Sequence, residues 1–274
     1  MKESNKLISN HILLSKGIDL SRFDETFLFK CIQRRMVETQ SKSRDDYFEL
    51  FSGNDVEKEE FLNSLQISYS EFFRNPLTFS VLEKIVLPGL AMQKASGKRN
   101  EIRIWSAACA GGQETYSISM LLNEYRLGND MVLNYRIFST DVAESQIIRA
   151  RKGQYATSEL SMLTLKRKNE WFTKKGDASV VKNQIKEKVD FSVFDLLNDQ
   201  SNCPPASIFG DFDIIFCANI LFYFKREFRN KILEKLSYSL AKGGLLITGE
   251  TEREILIQQN YKEVYPQSAI FCKK

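Results

Sequence analysis

A single histidine, His11, has to serve a chain of 274 residues. A Ser-His-Asp triad or a multi-histidine metal centre would have to be built around that one ring in a polar N-terminal stretch, which excludes both, and His11 is expected at the surface. The five cysteines, Cys31, Cys109, Cys203, Cys217 and Cys272, are odd in number, widely spaced and form no C-x-x-C pair. Neither a disulfide framework nor a zinc cluster is expected, no resident metal is implied, and a reducing, cytoplasmic compartment fits best. The most apolar run, Ile214 to Phe224, is interrupted by Asn219 and falls short of the roughly 20 residues of a membrane helix. Met1 to Gly17 carries no signal-peptide core. Neither G-x-G-x-x-G nor G-x-x-x-x-G-K-[ST] occurs, so pyrophosphate binding loses support. With 39 Lys and Arg against 35 Asp and Glu, the net charge of +4 is too mild for a dense nucleic-acid-binding face.

What is there divides in two. From Arg22 to about Phe72 the apolar residues fall at helical spacing (Phe27, Cys31, Ile32 and Met36, then Tyr47, Phe48 and Phe51) with no alternation of the strand kind. Asp45 and Asp46 suit a helix start, and Gly53-Asn54 a stop before a helix over roughly Val56 to Leu65. The spacing predicts an all-helical domain with its linker over 1–76. After Pro76 a helix is expected to Val86, broken by Pro88-Gly89. Short apolar runs (Ile102 to Ser106, Tyr135 to Ser139, Phe212 to Cys217, Leu245 to Thr248) then alternate with helical patterns (Glu114 to Tyr125, Glu144 to Lys152, Arg226 to Ala241). Strands too apolar to be half-exposed, alternating with helices, predict an α/β domain over 77–274 with a doubly wound, mostly parallel sheet.

One stretch breaks the rhythm. Between Arg149 and Lys188 stand eleven basic side chains and four acidic ones, a local excess greater than that of the whole chain. Trp171-Phe172, Val180-Val181 and Val189 to Phe191 read as three strands of a small antiparallel β insertion at about 166–191. The excess is either a solvated hairpin or a docking surface for an acidic partner.

In an open α/β sheet, ligands bind at the carboxyl ends of the strands. There the first strand runs through Ala108-Cys109-Ala110-Gly111-Gly112-Gln113 to Glu114, a small-residue turn that lets a ligand approach the backbone. The second ends in Asp141, whose acceptor-only carboxylate suits the two hydroxyls of a ribose; capping the helix at Glu144 is the plainer alternative, and the two roles can coexist. Asp195-Leu196 ends a third strand, where an Asp beside an apolar residue could hold an adenine amino group and pack its ring. Asn219 and Tyr223 put polar groups into an apolar strand-to-helix junction, where a core tyrosine is the plain reading of Tyr223. Arg74, after Phe72-Phe73, would point into the cleft unless it makes a surface ion pair.

Taken together, these blocks resemble the chemotaxis receptor methyltransferase family, whose CheR-type enzymes methylate receptor glutamates with S-adenosylmethionine. The likeness runs through Phe29 to Met36, Asp45 to Phe51, Phe72 to Pro76, Trp105 to Ser117, Ser139 to Tyr155, Val193 to Leu197, Phe212 to Phe224 and Gly243 to Glu252. It implies a class I methyltransferase-like fold and cofactor contacts at Ser68, Ser70, Arg74, Glu114, Asp141, Asp195, Leu196, Asn219 and Ile220. Arg74 and Tyr223 would line the place where methyl group and substrate meet. S-adenosylhomocysteine would be the product, chemoreceptor cytoplasmic domains the partners, and a monomer the working form, with no nucleic acid and no membrane insertion. The basic helix bearing Lys30, Arg34 and Arg35 would face acidic receptor helices, and the insertion would match the subdomain that tethers a receptor tail in some members. Three features depart from the family pattern: Ala110-Gly111-Gly112-Gln113 replaces the usual Ser/Thr-Gly-Glu-Glu context, Ala218 stands where arginine is usual, and Ser68 and Ser70 stand for Asn and Thr. These leave cofactor binding intact and make turnover the open point, with a binding-only relative or a methyltransferase of another acid as rivals. Transfer to an already ionised carboxylate needs no general base, which fits a chain with one histidine.

Overall fold

The computed structural model describes residues 8–9, 11–14, 19–65, 69–96, 100–128, 134–207 and 209–273. The chain forms two compact units. One comprises 1–67 with 220–230, and the other 68–219 with 231–274. The second unit thus begins at Ser68 rather than at residue 77, because Phe72 and Phe73 are buried in its core.

The first unit is helical. Asp24 caps the helix Glu25–Glu38 by accepting the Thr26 and Phe27 N–H groups. Ser43 and Asp46 form a reciprocal capping box at the start of Arg44–Gly53. Asn54 then stops that helix and caps the next, Asp55–Leu65, through the Val56 and Glu57 N–H groups. Leu28, Cys31 and Ile32 meet Tyr47, Phe51, Phe61 and Leu65 in one apolar cluster. Each such side chain contributes roughly 1.5–3 kcal/mol by leaving water. His11 is not at a bare surface: its ring stands edge-on to Phe51, with centroids 5.6 Å apart.

In this unit two of the three basic residues expected to face a partner are already engaged. Arg34 donates to the Ser64 carbonyl at 2.7 Å, and Arg35 makes a bidentate pair with Glu57, at 2.9 and 2.6 Å. The buried Glu57 also accepts from the Tyr47 hydroxyl at 2.8 Å. Arg35 and Glu57 lie on different helices, so they pin Glu25–Glu38 to Asp55–Leu65.

The second unit holds a seven-stranded sheet in the order β6-β2-β1-β7-β8-β10-β9. Its strands are β1 (Ile102–Ala107), β2 (Tyr135–Asp141), β6 (Val189–Val193), β7 (Phe212–Phe216), β8 (Leu240–Ile247), β9 (Tyr261–Glu263) and β10 (Ile270–Lys273). The first five in spatial order are parallel, and β10 lies antiparallel between β8 and β9. All of β7, and all of β1 and β2 but one residue each, is buried, as both faces of the sheet require. The chain order reverses between β1 and β7, the point at whose carboxyl ends ligands bind in open α/β sheets.

Two expectations are corrected here. Val189–Val193 is not a strand of the insertion: it pairs in parallel with β2 at the edge of the main sheet, Phe191 opposite Ser139. The third insertion strand is β3 (Gln154–Ala156), which with β4 (Phe172–Lys175) and β5 (Ala178–Val181) forms an antiparallel sheet in the order β3-β5-β4. Three residues of alternating exposure are too short to stand out as a strand in sequence. Pro88-Gly89, moreover, does not break the helix: Pro76–Val81 passes through a π-helical turn, Leu82–Val86, into Leu87–Ser96. The wider turn immediately before Pro88 accommodates a residue that has no N–H to donate.

Candidate functional site

The small-residue turn after β1 is held from below. Thr140 O accepts the N–H groups of both Ala108 and Cys109, at 2.8 Å each, and Asp141 accepts that of Ala110 at 2.9 Å. Ala108 and Ala110 stand at φ +78° and +46°, a region L side chains rarely occupy, so these bonds hold strained backbone. Gly112, at φ +89°, has no room for a side chain, since a Cβ would lie 2.9 Å from that of Ala150. The turn then enters the helix Gln113–Gly128, whose Ser and Thr hydroxyls are all bonded: Thr115 with Ser139, Ser117 to the Gln113 carbonyl and Ser119 to the Ile185 carbonyl.

Asp141 does not cap the helix Glu144–Lys152, whose N-cap is Ala143 with no side-chain bond, but turns the chain into it. One carboxylate oxygen takes the Ala110 N–H and the other the Ala143 N–H, each at 2.9 Å. With the Val142 N–H also directed at it, the carboxylate keeps acceptor capacity for about one ligand hydroxyl. Burial raises its pKa, against the pull of the backbone N–H groups of Ala143, Ala110 and Val142.

Glu114 accepts from the Ser106 hydroxyl at 2.7 Å. Burial pushes its carboxyl up to about 7; the Ser106 hydrogen bond and the Arg74 guanidinium oppose this, and the Glu252 carboxylate adds to it. Arg74 donates to the Tyr69 carbonyl at 3.2 Å and lies over that ring, 5.0 Å from its centre. Its neighbour Phe73 is fixed by an N–H bond to the Ser117 hydroxyl at 3.0 Å and by the Arg167 guanidinium 4.2 Å above its ring. Asp195, following β6, turns the chain by accepting the Leu197 N–H at 2.9 Å, and Leu196 beside it is buried.

Asn219, half-exposed rather than buried, follows β7 at φ +64°. Its N–H donates to Glu252 at 2.7 Å. Sequence reasoning had only placed Glu252 at the end of a block. Ser70 is half-exposed, and Ser68 lies outside the described residues. Ile220 and Tyr223 belong to the helical unit, where the Tyr223 ring stands 4.7 Å from that of Phe27 and its carbonyl accepts the Asp24 N–H at 2.8 Å. Among the described residues no cluster of His, Cys, Asp and Glu could hold a metal ion, and no helix is long and apolar enough to cross a membrane.

A parallel sheet reversing at β1/β7, a turn lined by backbone N–H groups and a strand-end carboxylate suit a nucleoside-containing ligand, and the family match of the chain makes it an S-adenosylmethionine-dependent methyltransferase. The family described as "CheR methyltransferase, SAM binding domain" matches residues 68–270, and the chain belongs to that family. S-adenosylmethionine is its cofactor. A chemotaxis protein methyltransferase of Listeria monocytogenes is 31% identical over 237 residues, covering 86% of this chain and 85% of that one. Chemotaxis protein methyltransferase 1 of Pseudomonas aeruginosa is 33% identical over 211 residues, covering 76% and 74%. Among solved structures, a TehB-like SAM-dependent methyltransferase of Corynebacterium glutamicum is similar at a TM-score of 0.38 and 14% identity, covering 79% and 96%.

The Glu114 environment carries a pH signature. A carboxyl raised from 4.5 to about 7 favours the empty folded state while protonated, and that contribution is lost as pH rises from about 4.5 through about 7. A cationic ligand matched by ionised Glu114 must first displace the proton. S-adenosylmethionine is therefore expected to bind up to about tenfold more tightly per pH unit as pH rises towards 7, then to level off. Isothermal titration across this range checks it, with Glu114→Gln expected to flatten the profile. A flat wild-type profile would remove this role from Glu114.

Proposed function

We propose that the protein transfers the methyl group of S-adenosylmethionine to glutamate side chains of chemoreceptor cytoplasmic domains, giving glutamyl methyl esters for chemotactic adaptation. The observation that carries this reading is the likeness to chemotaxis protein methyltransferases over most of both chains. The site chemistry supports it. The bound cofactor supplies a methyl group on a positively charged sulfur. A substrate glutamate, of pKa about 4.3, is already ionised at neutral pH, so no residue need remove a proton. The cofactor would supply its methyl group to one carboxylate oxygen and retain the electron pair of the broken carbon–sulfur bond on sulfur, so the chain's residues have only to bind and align the two partners. No proton moves.

In this reading Asp141 takes a ribose hydroxyl, Asp195 and Leu196 the adenine, and Glu114, Asn219, Ile220, Ser68 and Ser70 further cofactor groups. Arg74 binds the cofactor's side of the cleft and meets the incoming carboxylate with its guanidinium. Tyr223 takes the second catalytic role, donating its hydroxyl near the reacting atoms. Holding the reactants aligned can supply roughly 7–11 kcal/mol without acid–base chemistry.

The test is transfer of labelled methyl from S-adenosylmethionine to receptor cytoplasmic domains. Base-labile label on glutamate is expected, and Arg74→Ala should lose it even at S-adenosylmethionine concentrations raised to offset the weaker cofactor binding expected of that variant. A second reading, binding with little turnover, is motivated by the altered turn Ala110-Gly111-Gly112-Gln113 and by Ala218. Cofactor binding without transfer to any receptor domain would establish that reading and overturn the first.

A further inference from the structure

Glu252 is fully buried, and a single oxygen, Oε2, accepts two N–H groups: that of Gly249 at 2.8 Å and that of Asn219 at 2.7 Å. The first is an ordinary cap on the short helical turn Glu250–Glu252. The second is not. It reaches 33 residues back along the chain, to the residue that follows β7, while Gly249 follows β8, the parallel neighbour of β7. One carboxylate therefore ties together the carboxyl ends of two adjacent strands.

It does so at a strained point, since Asn219 is held at φ +64°. The Asn219 carboxamide lies across Gly249: a Cβ on Gly249 would sit 2.2 Å from Asn219 Nδ2. Gly249 itself has an ordinary extended backbone, with φ −71° and ψ 151°, so it is the approach of Asn219, not a turn, that leaves no room for a side chain. Backbone and side chain of Asn219 are thus fixed from two directions by residues that lie beyond the small-residue turn.

We propose that Glu252 is the positioning residue for Asn219, and that Gly249 is the surface against which the Asn219 carboxamide is aimed. The proposal rests on the reading of Asn219 as a cofactor contact. Removing the Glu252 side-chain acceptor frees the Asn219 N–H, the αL conformation loses its restraint, and the carboxamide loses its direction.

The test measures binding of S-adenosylmethionine and S-adenosylhomocysteine to the full chain by isothermal titration, for Glu252→Met, which has no oxygen to accept the N–H, for Asn219→Ala and for the double variant. Each single variant is expected to bind both ligands about tenfold more weakly, and the double variant within about twofold of either single one, because both remove the same contact. Losses multiplying to about a hundredfold, wild-type affinity in Glu252→Met, or a loss for the sulfonium-bearing ligand alone would overturn the proposal; the last would mark Glu252 as a charge acting directly. Wild-type affinity in Asn219→Ala would overturn the contact itself, and the proposal with it. Should Glu252→Met fail to fold, Gly249→Ala asks the same question: it is expected to weaken binding about tenfold alone and to add nothing in the Asn219→Ala background. An added loss there would overturn the proposal equally.

Discussion

Asp141→Ala is expected to weaken S-adenosylhomocysteine binding by about 100- to 1000-fold. Two losses combine. The ligand loses the acceptor proposed for its ribose, and the Ala110 and Ala143 N–H groups lose theirs. Releasing Ala110 also frees one of the two strained alanines of the small-residue turn, so backbone that meets the ligand is no longer fixed. Asp141→Asn separates the two effects, because its carboxamide oxygen can still hold one N–H; a loss about tenfold smaller is expected. Titration calorimetry of the three proteins checks the order. An Asp141→Ala protein binding within threefold of wild type would move the ribose elsewhere.

The largest stability effect is expected in the helical unit. Glu57→Ala should cost about 3–5 kcal/mol, since it leaves the Arg35 guanidinium with little of its compensation in a half-buried place and removes the acceptor of the Tyr47 hydroxyl. Arg35 has a strongly raised pKa, caused first by its hydrogen bond to Glu57, so it cannot escape by losing its proton. Glu38 and Glu60 also approach Arg35, but both are half-exposed and hold it weakly. Chemical denaturation followed by circular dichroism reads the cost; an early transition confined to helical signal is the expected form. A change below about 1 kcal/mol would show that water compensates the cluster.

Much of this was legible in the sequence, and the reasons are particular. Apolar runs such as Phe212 to Cys217 announced strands buried on both faces, and Asp45 with Asp46 announced a helix start. The residues singled out at the ends of β1, β2, β6 and β7 all fall at carboxyl ends of parallel strands, because a carboxylate or amide closing an apolar run has few purely structural uses. The short strand Gln154–Ala156 was not legible, since three residues cannot show a period, and Val189–Val193 was drawn to the wrong sheet because strand pairing is a matter of distant partners. Glu252 escaped for a related reason. Its significance lies in a bond to a residue 33 positions away, and nothing in its own neighbourhood of Glu250, Thr251 and Arg253 distinguishes it from a solvated glutamate.

Ala108 and Ala110 occupy backbone conformations that glycine would adopt freely, at a cost of order 1–3 kcal/mol each. Their persistence means that the turn is over-determined by Thr140 and Asp141, which hold it in place whether or not a ligand is present. The entropy of ordering this loop is charged to folding and not to association. A ligand then meets a preorganised wall, and its affinity reflects contacts made, with little subtracted for loop closure. A protein that must bind and release its cofactor once per turnover gains from this arrangement, because neither direction waits for a segment of chain to find its shape.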